Sequence, residues 1–264
     1  MKKLLQLEFI KYSKSRAFYI FILLFMVIVV LLEMLIVSLG GREIGGKKVL
    51  DLGFPAAWDN LVYIASYLNF LIGLMVIISI TNEYQYRTFR QHIVDGLSKL
   101  NVWVAKYLYA LLLVIFSCLF VAISVIIFGS MNATTGTNGV FDGIKIIYKY
   151  FIQLIGYVTL AMFMSILFRN TALAAIIYVL YVWFLEFLLS FAFFHKSTNM
   201  YIASYFPKAL FSSIVPKPPL LTFASNMAGL NTNGPSEQMT LILSCIYILV
   251  FAGGSYFLIR ARDL

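Results

Sequence analysis

The chain alternates between six long apolar runs and short polar or basic segments. The runs extend from Ala17 to Leu39, Leu61 to Thr81, Tyr107 to Phe128, Tyr150 to Phe168, Thr171 to Phe194 and Gln238 to Ile259. A hydrocarbon core about 30 Å thick is crossed by roughly 20 helical residues. The pattern therefore predicts an all-α, polytopic membrane protein with six transmembrane helices, organised as one domain over residues 1–264.

Composition supports the bilayer as solvent. Hydrophobic residues make up 62% of the chain and charged residues 12%, about half the charged share of a soluble domain at roughly 25%. The net charge of +9 does not indicate nucleic acid, because the basic residues fall in blocks between apolar runs rather than along one stripe. Those blocks orient the chain. With the N-terminus inside, twelve Lys and Arg fall in short inner segments and eight in longer outer ones, so both termini are expected to be cytoplasmic. A cleaved signal peptide fits poorly, since the first apolar run follows a 16-residue charged segment and exceeds a signal h-region.

The connecting segments are unequal. Residues 1–16 mix Leu4, Leu5, Phe9 and Tyr12 with five basic residues, a composition suited to the anionic inner surface. Arg169 and Asn170 alone separate the fourth and fifth runs, which predicts a tight antiparallel hairpin. Residues 82–106 are polar yet helical in pattern, with Tyr86, Phe89 and Ile93 at i, i+3 and i+7 and Glu83, Arg87 and Arg90 among them. This pattern predicts a docking helix. Gly96 is placed to end that helix, and Ser98 to cap the next one. Residues 195–237 hold five of the six prolines, so they are not one helix. Their apolar stretches are too short to span, and predict short helices that dip into the outer leaflet or cap the bundle.

Candidate chemistry is sparse. Gly41 to Lys48 reads GREIGGKK, the spacing of a phosphate loop, but Lys48 stands where Ser or Thr should bind magnesium and no buried strand precedes it. An ordinary turn is the better reading. His92 and His195 lie on opposite sides by this topology and have no nearby Cys, so no metal site is expected. Cys118 and Cys245 both lie in apolar runs and read as small hydrophobes. Two carboxylates stand inside spans. Counted from the inner ends, Glu33 and Glu186 both lie roughly 23 Å deep, where a carboxylate faces a pathway or a partner, is protonated, or reaches the interface.

These features together resemble the membrane subunit of a bacterial ABC exporter of the type 2 permease family. The most specific stretch runs from Glu83 to Lys106, where Glu83, Thr88, Gln91, Gly96, Ser98, Lys99 and Lys106 follow the order of that family's coupling region, with Arg87 in place of the usual Gly before Thr88. The resemblance implies that residues 1–16 form an elbow helix. It implies that 82–106 couple to an ATPase through Glu83, Tyr86, Phe89, Arg90, Ile93 and Gly96, and that Tyr201 to Gly229 form outer re-entrant helices. It also implies a bacterial inner-membrane location, cytoplasmic ATPase subunits that bind ATP and magnesium, no cofactor in this chain, and a second permease copy, identical or homologous. The alternative is a secondary transporter or channel in which Glu33 and Glu186 carry ions or protons. No inverted halves or pair of Gly/Pro-broken spans supports it.

Overall fold

The computed structural model describes residues 15–40, 43–44, 47–48, 53–86, 88, 91, 96–131, 140–185, 188, 204–218 and 235–261. The described residues are almost wholly helical, as a chain in lipid must be if its backbone groups are to be satisfied within each segment. Four continuous helices are long and apolar enough to cross a membrane: α1 (Arg16–Gly40), α4 (Lys99–Met131), α5 (Ile146–Phe168) and α8 (Glu237–Ala261). The second run is not the single helix expected over Leu61 to Thr81. It forms α2 (Ala56–Ser66) and α3 (Asn69–Gln85), bent by 40° at Tyr67 and Leu68, and counts as a fifth crossing if taken as one.

Neither Pro nor Gly causes this bend. Ser66 Oγ donates to the Tyr63 carbonyl three residues back at 2.6 Å, which competes with the helix ladder and bends it. The N–H groups of Tyr67, Leu68 and Leu71 then bond three residues back, to Ile64, Ala65 and Leu68, the tighter winding found at helix breaks.

The fifth run begins as α6 (Thr171–Leu180) and continues as a π turn over Tyr181–Leu185; most of its expected remainder to Phe194 lies outside the described residues. The predicted hairpin before it is present. Arg169 closes α5 in a left-handed conformation at φ 52°, and the Asn170 side chain accepts from the Leu173 N–H at 3.2 Å to start α6. A short helix, α7 (Pro207–Ile214), is the described part of the outer segment. One departure from all-α is a two-residue ladder, β1 (Glu43–Ile44) antiparallel to β2 (Lys47–Lys48), with Ile44 opposite Lys47. The GREIGGKK stretch thus carries a small antiparallel ladder.

α5 is the central helix. Within its most apolar window 61% of residues are buried, against 17% for α1 and 22% for α8, whose free faces suit lipid. Two glycines permit close helix–helix approaches. A side chain at Gly73 of α3 would collide with the buried Tyr178 ring of α6, and one at Gly156 of α5 would collide with Phe211 of α7. Gly156 stands 10 residues into α5, about 15 Å along its axis. The short helix therefore packs against α5 well along its length.

Candidate functional site

Cationic and hydroxyl side chains gather at the end of the bundle where α3 finishes and α4 begins. Glu83, in the last turn of α3, forms an ion pair with Lys106 of α4, and the two side chains are 1% and 2% exposed. Each would be costly to bury alone, and each makes the other's burial possible. The pair lies within the expected 82–106 connector, both ends of which are helical. Residues 82–85 and 99–106 belong to the flanking helices, which Glu83 and Lys106 join at their bases.

Neighbouring contacts tie the same end together. Thr81 and Thr171 share a hydroxyl hydrogen bond of 2.8 Å between α3 and α6. The Arg169 guanidinium lies over the Tyr84 ring, 5.2 Å from its centre. Lys99 Nζ donates to the Arg260 carbonyl at 3.2 Å, placing a cation at the C-terminal end of α8. Gly96 adopts φ 88°, a conformation that suits glycine, and Ser98 Oγ accepts from the Asn101 N–H at 3.2 Å. The cap that the sequence assigns to Ser98 is present; the helix that Gly96 is expected to end lies largely outside the described residues. A cavity of about 330 Å³ opens beside Glu83, walled by Phe18, Phe21, Met75 and Tyr86.

Of the other expected coupling residues, Tyr86 caps α3 and is 76% exposed. Phe89, Arg90 and Ile93 lie outside the described residues. So does Glu186. Glu33 of α1 is fully buried against α4, where Ser124 Oγ donates to its Oε1 at 2.9 Å. Its Oε2 has no hydrogen-bond partner among the described residues. Ser124 is seven residues from the end of α4 at Met131, so Glu33 sits in the half of the bundle away from Lys106. It lines neither this cavity nor the one described next.

At the opposite end, Lys149 pairs with Glu237 at 2.6 Å, and Trp58 Nε1 donates to the Val140 carbonyl at 2.7 Å. A second cavity of about 290 Å³ lies between the α2–α3 bend, α5, the π turn and α7. Gln153 and Lys208 border it; the sequence reading missed both. Their signal was a polar residue inside an apolar run, the same signal that singled out Glu33. Among the described residues, no group of three or more His, Cys, Asp or Glu is placed to hold a metal ion.

Among the described residues, a bundle with four helices, or five with the bent pair, long and apolar enough to cross a membrane is the architecture of a multi-pass membrane protein. The family model described as "ABC-2 family transporter protein" matches residues 4–185, more than half of the chain. The protein belongs to that family, which comprises membrane permeases of ABC transporters. A search against individual curated proteins found no match.

Proposed function

We propose that this chain is the permease subunit of an ATP-driven exporter. In this reading it forms the substrate path across the bacterial inner membrane with six crossings and both termini in the cytoplasm. ATP and magnesium are bound by separate cytoplasmic ATPase subunits, and a second permease copy, identical or homologous, completes the path. The observation that carries this reading is the buried Glu83–Lys106 pair.

The pair fastens both roots of the 82–106 connector. A displacement of the connector is then transmitted to α3 and α4 together, rather than being absorbed at either helix end. α3 is 17 residues long, about 26 Å, and residues in or next to it wall both cavities, through Met75 and Tyr86 at one end and Tyr67 and Phe70 at the other. Force on the connector reaches the far cavity along this rod, where the bend at Tyr67 lets α2 and α3 change their mutual angle. Such rigid-body alternation between packings is the usual form of coupling. Glu33 fits a packing role between α1 and α4 better than an ion path, because it borders neither cavity.

Co-purification of the chain with an ATPase, followed by hydrolysis that rises when substrate is added, tests this reading. Isolation of the chain without any ATPase, together with ion-driven flux in vesicles lacking ATP, would replace it with the secondary-transporter alternative.

A further inference from the structure

The far cavity is bordered by both irregularities of the bundle. Tyr67 and Phe70 come from the bend between α2 and α3, and Val182 and Trp183 come from the π turn after α6. π turns concentrate at functional sites because they re-aim side chains that a regular helix would turn elsewhere. One wall is aromatic. Trp183 meets Phe70 edge-on, with ring centres 5.7 Å apart, and the hydroxyls of Tyr63 and Tyr67 are hydrogen-bonded at 2.8 Å.

The other wall is polar. Gln153 of α5 is 1% exposed, and its Oε1 finds no hydrogen-bond partner among the described residues. An unsatisfied buried acceptor of this kind destabilises the fold by about 1–3 kcal/mol, a cost that a bound group donating a hydrogen bond to this oxygen would offset. Lys217, just after α7, brings an ammonium to the same cavity, and no Asp or Glu lines it among the described residues. At this end Asp59 and Glu237 both interact with Lys149 instead, and Asp142 does not line the cavity.

We infer that this cavity binds an amphipathic anion, with the acidic group at Lys217, a hydrogen-bond-donating neck at the Gln153 amide oxygen, and a planar or apolar body against Phe70 and Trp183. The volume suits a small ligand or one end of a larger one, near the lower limit of about 300 Å³ for such sites. The site's part in transport rests on the permease reading; binding to it does not. Two sources share this chemistry: an anionic lipid of the surrounding leaflet, and a soluble amphipathic anion.

The test uses the full chain in nanodiscs of phosphatidylcholine, with the Trp183 signal obtained by subtracting the fluorescence of Trp183→Phe. N-octanoyltaurine, an anion whose amide N–H can donate to the Gln153 oxygen, should change that signal saturably, whereas octyl glucoside at the same concentration should not. Lys217→Gln should weaken binding about tenfold, equivalent to 1.4 kcal/mol. Gln153→Met should also weaken it while raising the thermal stability of the ligand-free chain, a pairing that a merely structural glutamine would not give. Quenching by brominated phosphatidylglycerol, but not by brominated phosphatidylcholine, would assign the anion to lipid. N-octanoyltaurine binding without that quenching would assign it to a soluble compound. An equal response to octyl glucoside, or binding unchanged in both variants, overturns the proposal. No ATPase takes part in this measurement, so its failure leaves the permease reading intact, and failed co-purification with an ATPase leaves the binding result standing.

Discussion

Glu83 and Lys106 are 23 residues apart in the sequence and meet as a buried ion pair that joins the end of α3 to α4. Removing one member of such a pair leaves a buried charge without its partner, a loss of about 3–5 kcal/mol. Lys106→Met should therefore lower the unfolding temperature in detergent sharply. The double variant Glu83→Gln with Lys106→Met should recover most of that stability, because neither site then carries a charge. If the pair transmits motion, the double variant should still lose substrate-stimulated hydrolysis in the presence of the ATPase. Full stimulation in a stable double variant would reduce the pair to a packing element.

The approach of α7 to α5 gives a second expectation. Gly156 leaves no room for a larger residue against Phe211, so Gly156→Val overpacks the contact and should destabilise the chain by about 1–3 kcal/mol. Combining it with Phe211→Ala should be less harmful than the two single losses added together. A double-mutant cycle on thermal unfolding measures the difference. Strict additivity would show that α7 does not sit against Gly156 in the membrane.

Glu33 separates the two classes of function. Its partner Ser124 can equally donate to the amide oxygen of Gln, so Glu33→Gln should keep the fold, ATPase assembly and basal hydrolysis. Glu33→Lys places an ammonium among apolar side chains of α1 and α4 and should prevent accumulation in the membrane. Loss of an ATP-independent ion flux in the Gln variant would instead favour the carrier alternative.

Sidedness is tested by labelling. Single cysteines near Lys47, Asn138 and Asn231 should react with an impermeant thiol reagent from outside cells, and ones near Lys14, Lys99 and Arg262 should not. The background is Cys118→Ser with Cys245→Ser, since Cys245 is exposed on the surface of α8. The reverse pattern would invert the assignment and place the Glu83–Lys106 pair outside.

Helix positions were legible because burial in lipid demands long apolar runs, and local punctuation was legible because it is chemical. Gly96, Ser98, Arg169 and Asn170 stand in the roles their side chains suit. The bend at Tyr67 was not legible. It arises from a side-chain bond of Ser66 to the backbone, and a serine in an apolar run reads equally well as a regular helical residue. The Glu83–Lys106 pair was half legible: both residues stood out in the coupling-region resemblance, but their contact depends on how α3 and α4 pack. The far cavity was illegible for the same reason, since its walls come from five separate elements.

The connector itself carries the last expectation. Tyr86 is exposed at the end of α3, and the sequence spacing of Phe89 and Ile93 continues an apolar face from it at i+3 and i+7. If that face lodges in a groove of the ATPase, Phe89→Asp places an unpaired carboxylate there and should weaken docking by several kcal/mol, about a hundredfold or more in affinity. The folded permease should be unaffected, because the Glu83–Lys106 pair at the root of the connector is untouched. The comparison is pull-down of the ATPase by the variant, alongside the thermal stability of the variant alone. A stable chain that no longer retains the ATPase is the expected result. Normal retention with full transport would show the connector to be a solvated loop, and the route for coupling would then have to begin elsewhere.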